Sequence, residues 1–226
     1  MAKWWVLVAC WLPLSALGNT FTIAYRDHTD AMSSATKAIL ERAFYSVDPN
    51  IDLSWIEMPF SRAEDALEKG IIDADFGRTR LAYQSTSQAY YPTEPLLSVD
   101  YYLFGYTHVL HPTNYQRIVG VIGDKIVEEI AEKYQWEIVR VRTERAALKM
   151  VDSNRVQAMV GYVGIKSVLK NEQLTAVRMG DRPVESIPVY LVVHKRHQTL
   201  VEPLDAALRE MKDSGEFAAI LVEHGL

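Results

Sequence analysis

The sequence predicts an α/β fold made of two similar lobes, and three observations carry that expectation. Over the first hundred residues, segments with strand alternation and segments with helical spacing follow one another, with connections too short for an all-β fold. After an aromatic, extended stretch between Tyr83 and Tyr106, the same strand–helix order starts again. The halves also echo each other. Ala66-Leu67 on a predicted helix leads to Ile72-Asp73-Ala74 near the start of a strand, and Ala147-Leu148 leads in the same way to Val156-Gln157-Ala158. Two lobes, each built on its own small parallel sheet, give that pattern.

The first 18 residues read as a cleaved secretory signal. Lys3 precedes an apolar run from Trp4 to Leu14, and Ala16-Leu17-Gly18 is a small-x-small cleavage site. The run is shorter than the ~20 apolar residues that a spanning helix needs, and Pro13 interrupts it. Leu7-Val8-Ala9-Cys10 resembles a lipobox but leaves too little hydrophobic segment ahead of it. Cleavage removes Cys10, the single cysteine, so the exported chain is held together by burial rather than disulfides. A formal charge of −5 and a mildly acidic composition exclude a basic nucleic-acid-binding surface.

Phe21, Ile23 and Tyr25 alternate as in a strand, and the polar run Arg26 to Asp30 ends it. Met32, Ala35, Ile39, Leu40 and Ala43 follow helical spacing, with Asp30 placed to cap the start. A strand over 51–58 follows. Ser61 and Glu64 then fit a capping box, Ala63, Ala66 and Leu67 share a helix face, and Gly70 supplies a left-handed stop. A strand from Ile71 to Phe76 delivers Arg78 and Arg80 to its carboxyl end, where open α/β sheets bind ligands.

Pro92 and Pro95 exclude helix from the aromatic stretch, and 97–106 reads as a long strand. The second half gives a strand over 117–122, a turn and cap at Gly123 and Asp124, and a helix over 125–134. A strand over 137–141, a Thr143-capped helix, a strand over 156–160 and a short helix over 163–170 come next. A second long strand covers 187–194, and 199–226 closes the chain as one or two helices with Gly215 as the break.

Element order and several short stretches resemble the bacterial extracellular solute-binding proteins of family 3. Pro59 to Ala74 is similar to that family's aromatic-x-Arg-Ala helix ending in Gly-x-Ile-Asp-Ala. Arg117 to Gly123 is similar to its Gly-Val-x-x-Gly element, and Pro188 to Lys195 with Leu200 to Gly215 to its return strand and closing helix. The resemblance implies a periplasmic, monomeric clamshell of the type II binding-protein kind: residues 19–104 plus 190–226 as lobe 1, 105–189 as lobe 2, and two crossing strands near 102–108 and 187–193. It implies capture of a small polar solute, amino-acid-like or an organic acid, for an ABC-type uptake system and its membrane permease. The alternatives are a sensory module reporting to a membrane partner, or a dehydratase-like enzyme on the same fold. No cofactor is implied.

Arg78 and Arg62 are the leading candidates for an anionic group, because an arginine fork meets a carboxylate with two parallel hydrogen bonds. Their bland alternatives are a solvated first-turn Arg62, or one paired with Asp65, and a surface Arg80. An Arg78 reserved for ligand implies that Arg78→Ala removes binding and leaves the free protein's melting temperature nearly unchanged. Gly123 precedes a helix whose free amides suit an anion, but Asp124 occupies them where the family more often has Ser or Thr. The family's carboxylate-gripping arginine has no match in Leu81 to Ser85. Tyr25 and Tyr162 fall where a ligand is sandwiched, and Asp27 and Asp30 are possible ammonium partners. His108 with His111 and His194 with His197 have strand-end spacing that points the rings apart, against a metal site. No Gly-x-Ser-x-Gly and no phosphate-binding glycine loop is present, so the chain reads as a non-enzyme.

Overall fold

Strand β1 (Thr20–Tyr25) carries Phe21 and Ile23 into one core and Ala24 into another, as alternation requires. The computed structural model describes residues 20–26, 31–106 and 111–226. The signal segment, Asp27, Asp30 and His108 lie outside them.

β1 pairs in parallel with β2 (Asp52–Glu57) and β3 (Ala74–Arg78), linked by α1 (Ala31–Val47) and α2 (Phe60–Glu68). One face of this sheet packs Ile39, Leu40 and Phe44 of α1 against Leu204, Leu208 and Met211 of α6 (Val201–Ser214). The other face is covered by Ala63, Ala66 and Leu67 of α2 with Ile72 and Tyr83. Both faces are buried, as parallel strands require. Gly215, at φ +82°, separates α6 from α7 (Glu216–Glu223), the break expected there.

The second lobe repeats the arrangement. β6 (Arg117–Val121) is flanked in parallel by β7 (Glu137–Val141) and β8 (Ala158–Tyr162), with α3 (Lys125–Tyr134), α4 (Glu144–Asp152) and α5 (Ile165–Asn171) around them. The echo in the sequence has a structural counterpart: Ala74 pairs with Ile23 of β1, and Ala158 pairs with Ile118 of β6.

Two long antiparallel strands join the lobes. β5 (Leu97–Gly105) pairs with β10 (Glu185–His194) over Leu97–Tyr101, then with β8 over Tyr101–Phe104. β10 pairs with β5 over Glu185–Val189, then with β3 over Tyr190–Val193. Short β4 (Ala89–Tyr90) and β9 (Arg178–Met179) add to β10 and β5. Among the described residues the main path runs β2-β1-β3-β10-β5-β8-β6-β7.

Two local expectations are corrected. Ser61 and Glu64 form no capping box: α2 starts at Phe60 after Pro59, no side chain caps it, and Glu64 turns instead to Arg78. β3 and β8 also begin later than their apolar runs suggest, because both helices ahead of them leave through a six-to-one turn. The Ile71 amide bonds the Ala66 carbonyl with Gly70 at φ +66°, and the Arg155 amide bonds the Met150 carbonyl with Asn154 at φ +55°. Ile71 is accordingly on the surface, 64% exposed. Asp124 and Thr143 do cap α3 and α4 as expected.

Asp73 fastens the closing segment to β3. Its carboxylate accepts from the Thr22 amide at 2.8 Å and from Arg196 Nε at 3.0 Å, and contacts His197 Nε2 at 2.5 Å. His194, the other histidine of that pair, accepts from the Arg196 amide instead. Burial opposes ionisation of Asp73, but the Thr22 amide, Arg196 and His197 outweigh it and hold its carboxyl below the ordinary range. The resulting stabilisation is present at neutral pH and disappears as the pH falls below the ordinary value of 3.8. We expect Asp73→Ala to lower unfolding free energy by about 2–4 kcal/mol in urea titrations, the exposed Arg196 moderating the loss.

Candidate functional site

The cleft is organised by a carboxylate without solvent contact. Asp75, the second residue of β3, is 0% exposed and receives Arg26 Nη2 on both oxygens at 2.8 and 2.9 Å. The Tyr83 hydroxyl donates to Asp75 at 2.7 Å, and Arg78 Nε lies 3.4 Å from it. Arg26 also donates to the Met58 carbonyl at 2.8 Å, tying the ends of β1, β2 and β3 together. Burial and the neighbouring Asp75 push the Tyr83 hydroxyl far above its ordinary range, so it remains a donor.

Arg78 is 2% exposed, and its Nη2 meets the Glu64 carboxylate. Burial raises the Glu64 carboxyl against the pull of Arg78 and of Lys125 from the other lobe. Both guanidiniums stand over Phe60, Arg26 at 4.4 Å and Arg78 at 4.8 Å from the ring centroid.

The second lobe meets the first at Gly123. Its φ is +83°, and a Cβ there would come within 3.2 Å of Phe60 Cβ and 3.3 Å of the Ser61 nitrogen. A side chain would be strained at this φ and would press on the start of α2. Asp124 follows, half-buried, accepting from the Ile126 amide at 3.1 Å and the Val127 amide at 3.3 Å. Burial pushes its carboxyl up to about 6; the Val127 amide and Arg78 resist, while Glu144 adds to the rise.

Among the described residues, three spaces along this junction are each bordered by Phe60. An inner cavity of about 80 Å³ is walled by Phe76, Leu97, Val99, Tyr101, Tyr162 and Val189, with Ser33 and Thr36 of α1 at its edge. An outer space of about 470 Å³ lies between Glu57 to Phe60 and Ile122, Arg142, Thr143 and Glu144. A gap of about 10 Å³, the room of one water, separates Arg78 and Thr79 from Asp124 and Lys125.

No protein-family model and no curated protein matches the sequence. Solved structures do. The amino-acid ABC transporter substrate-binding protein AbpA of Streptococcus pneumoniae, bound to L-arginine, superposes with a TM-score of 0.68 at 15% identity over 91% of this chain and 94% of its own. The GluR0 ligand-binding core with L-glutamate gives 0.71 at 12% identity, covering 92% and 98%. The VFT2 domain of Bordetella pertussis BvgS gives 0.70 at 15%, covering 91% and 93%. The chain has the two-lobed fold of type II periplasmic binding proteins.

Within this binding-protein fold the candidates separate. Arg78, Gly123, Asp124 and Tyr162 come together at the junction of the lobes. Arg62 is exposed on the first turn of α2, and Arg80 donates to the Pro92 carbonyl and stands over Tyr190. Tyr25 is half-buried under Lys37, whose Nζ lies 3.4 Å from the ring centroid. None of these last three lines the spaces just described. Arg26, Phe60, Glu64, Asp75 and Tyr83 were not singled out as site residues from the sequence. Asp75 carried a signal, since a charged residue inside a buried strand needs partners.

With Glu64 and Asp75 as its partners, Arg78 has a structural task of its own. We expect Arg78→Ala to lower unfolding free energy by about 3–5 kcal/mol in denaturant titrations, because it strands two carboxylates. A second expectation concerns Asp124. A carboxyl raised from 3.8 to about 6 on folding binds protons more tightly in the folded state, so its contribution is most favourable below pH 3.8 and is lost as pH rises through 6. Asn caps a helix as well as Asp does. The melting temperature of Asp124→Asn relative to wild type is therefore expected to increase between pH 4 and pH 7.

Proposed function

We propose that this protein is an extracytoplasmic solute-binding protein that captures a small polar solute between its lobes and delivers it to an ABC-type importer. The observation that carries the reading is the convergence of both lobes on Phe60. Gly123 and Asp124 of the second lobe come up against the same residue whose ring Arg26 and Arg78 of the first stand over. A solute held there touches both lobes, and its differential contacts favour the closed arrangement. The ribbon of Leu97–Tyr101 and Glu185–Val189 is the hinge in this reading, absorbing the change in dihedral angles. In this reading residues 19–104 plus 190–226 form one lobe and 105–189 the other.

Export by cleavage near Gly18 places the mature, monomeric protein in the periplasm, beside a membrane permease. No helix among the described residues is long and apolar enough to cross a membrane. The AbpA neighbour, an amino-acid ABC transporter substrate-binding protein, supports the transport reading. Of the candidates read from the sequence, Tyr162 is the proposed solute-facing member in the inner cavity, while Arg78, covered by Glu64, borders the narrow gap opposite Asp124, beside Gly123.

A thermal-shift screen of the mature protein against amino acids, organic acids, polyamines and small amides tests the proposal. A solute at about a hundred times its dissociation constant is expected to add about 2.7 kcal/mol and several degrees to the melting point. A cleanly folded protein that no member of the set stabilises would sink the binding role.

A further inference from the structure

Arg78 sets the question of what the cleft accepts. It is buried, yet it borders the gap between the lobes together with Thr79, Asp124 and Lys125. A fork of N–H donors at such a junction is a natural grip for a carboxylate. Here the grip is already taken. Glu64 Oε1 lies on Arg78 Nη2, and Asp75 Oδ2 stands 3.4 Å from Nε.

The other anion-binding feature facing the gap is filled from within the chain as well. The amides at the start of α3 donate to Asp124 Oδ1. Three further cations along the cleft also have carboxylate partners, Arg26 on Asp75, Lys125 on Glu128 and Arg145 on Glu172, whereas Arg142 at the outer space is exposed to solvent. The inner cavity, by contrast, is walled mainly by Phe76, Leu97, Val99, Tyr101 and Tyr162.

Resting on the reading of the cleft as a solute site, we infer that Glu64 is a specificity-determining residue: it stands on Arg78 in place of a ligand carboxylate. The solute class that fits is compact, with an apolar body for the inner cavity and no carboxylate directed at Arg78, such as an amine, amide or alcohol. Glu64 suits this role by position. Its side chain is 27% exposed, so the place it occupies beside Arg78 is open to the solvent, while Arg78 itself is not. Lys125 of the opposite lobe adds to the pull of Arg78 on that carboxylate.

The test vacates the position and asks whether a free carboxylate takes it. Glu64→Ala leaves Arg78 with an open Nη2, and Glu64→Gln keeps the space filled. Melting temperatures of wild type and both variants are measured in acetate and in propionate against chloride at equal ionic strength. The expected result is stabilisation of Glu64→Ala by several degrees in either carboxylate, with wild type and Glu64→Gln unmoved. Equal stabilisation of wild type would show that Glu64 excludes nothing, and no stabilisation of Glu64→Ala would show that the position does not accept a carboxylate; either overturns the inference. If Glu64→Ala shows no cooperative melting in chloride, its recovery on adding acetate supports the inference and its failure to recover overturns it. The readout is separate from the solute screen: acetate rescue reports on Arg78 whether or not a natural solute is found, and a failed rescue leaves the binding role standing.

Discussion

A carboxylate that never meets water fixes the geometry of the cleft. Asp75 alone would be untenable inside β3, since an isolated buried charge is strongly penalised. Two guanidiniums and a phenol surround it, and each of those groups belongs to a different part of the first lobe. Arg26 directly follows β1, Arg78 ends β3, and Tyr83 follows in the turn beyond. Their positions are therefore fixed together, and with them the ring of Phe60 that the guanidiniums face. An ion cluster of this kind adds little net stability compared with apolar packing, but it defines one arrangement of its members.

The two-lobed shape follows from a division of labour along two strands. β5 and β10 each spend one part of their length on each other and the other part in a lobe's sheet. Each lobe otherwise has its own buried clusters, Phe44 and Leu208 in the first, Ile130 and Leu148 in the second. Hydrophobic burial thus stabilises each lobe mostly within itself. Among the described residues, a ribbon of backbone pairs, the side chain of Leu97 packed on clusters of both lobes, and the approach of Gly123 to the start of α2 cross between them.

Much of this was legible in the sequence where the signal is local. The helix over Lys125–Tyr134 was readable because Asp124 caps it and its apolar residues share one face, and Gly215 marked a break that the backbone makes. The starts of β3 and β8 were not, because the six-to-one turns that end α2 and α4 consume residues whose apolar character suits a strand equally well. Ser61 and Glu64 had the spacing of a cap, but the cation that claims Glu64 lies in another element, and no local pattern reveals it. Likewise Tyr25 and Arg62 had plausible positions at element ends, whereas Lys37 on a neighbouring helix covers one and solvent surrounds the other. Pairing across elements decides a site, and it is written in the fold rather than in spacing.

Phe60 borders the outer space, the inner cavity and the narrow gap alike. Its ring rests under two guanidiniums of the first lobe, and its Cβ faces the Gly123 turn of the second. Any change in the spacing of the lobes therefore alters the surroundings of this one aromatic side chain, and with them all three spaces at once.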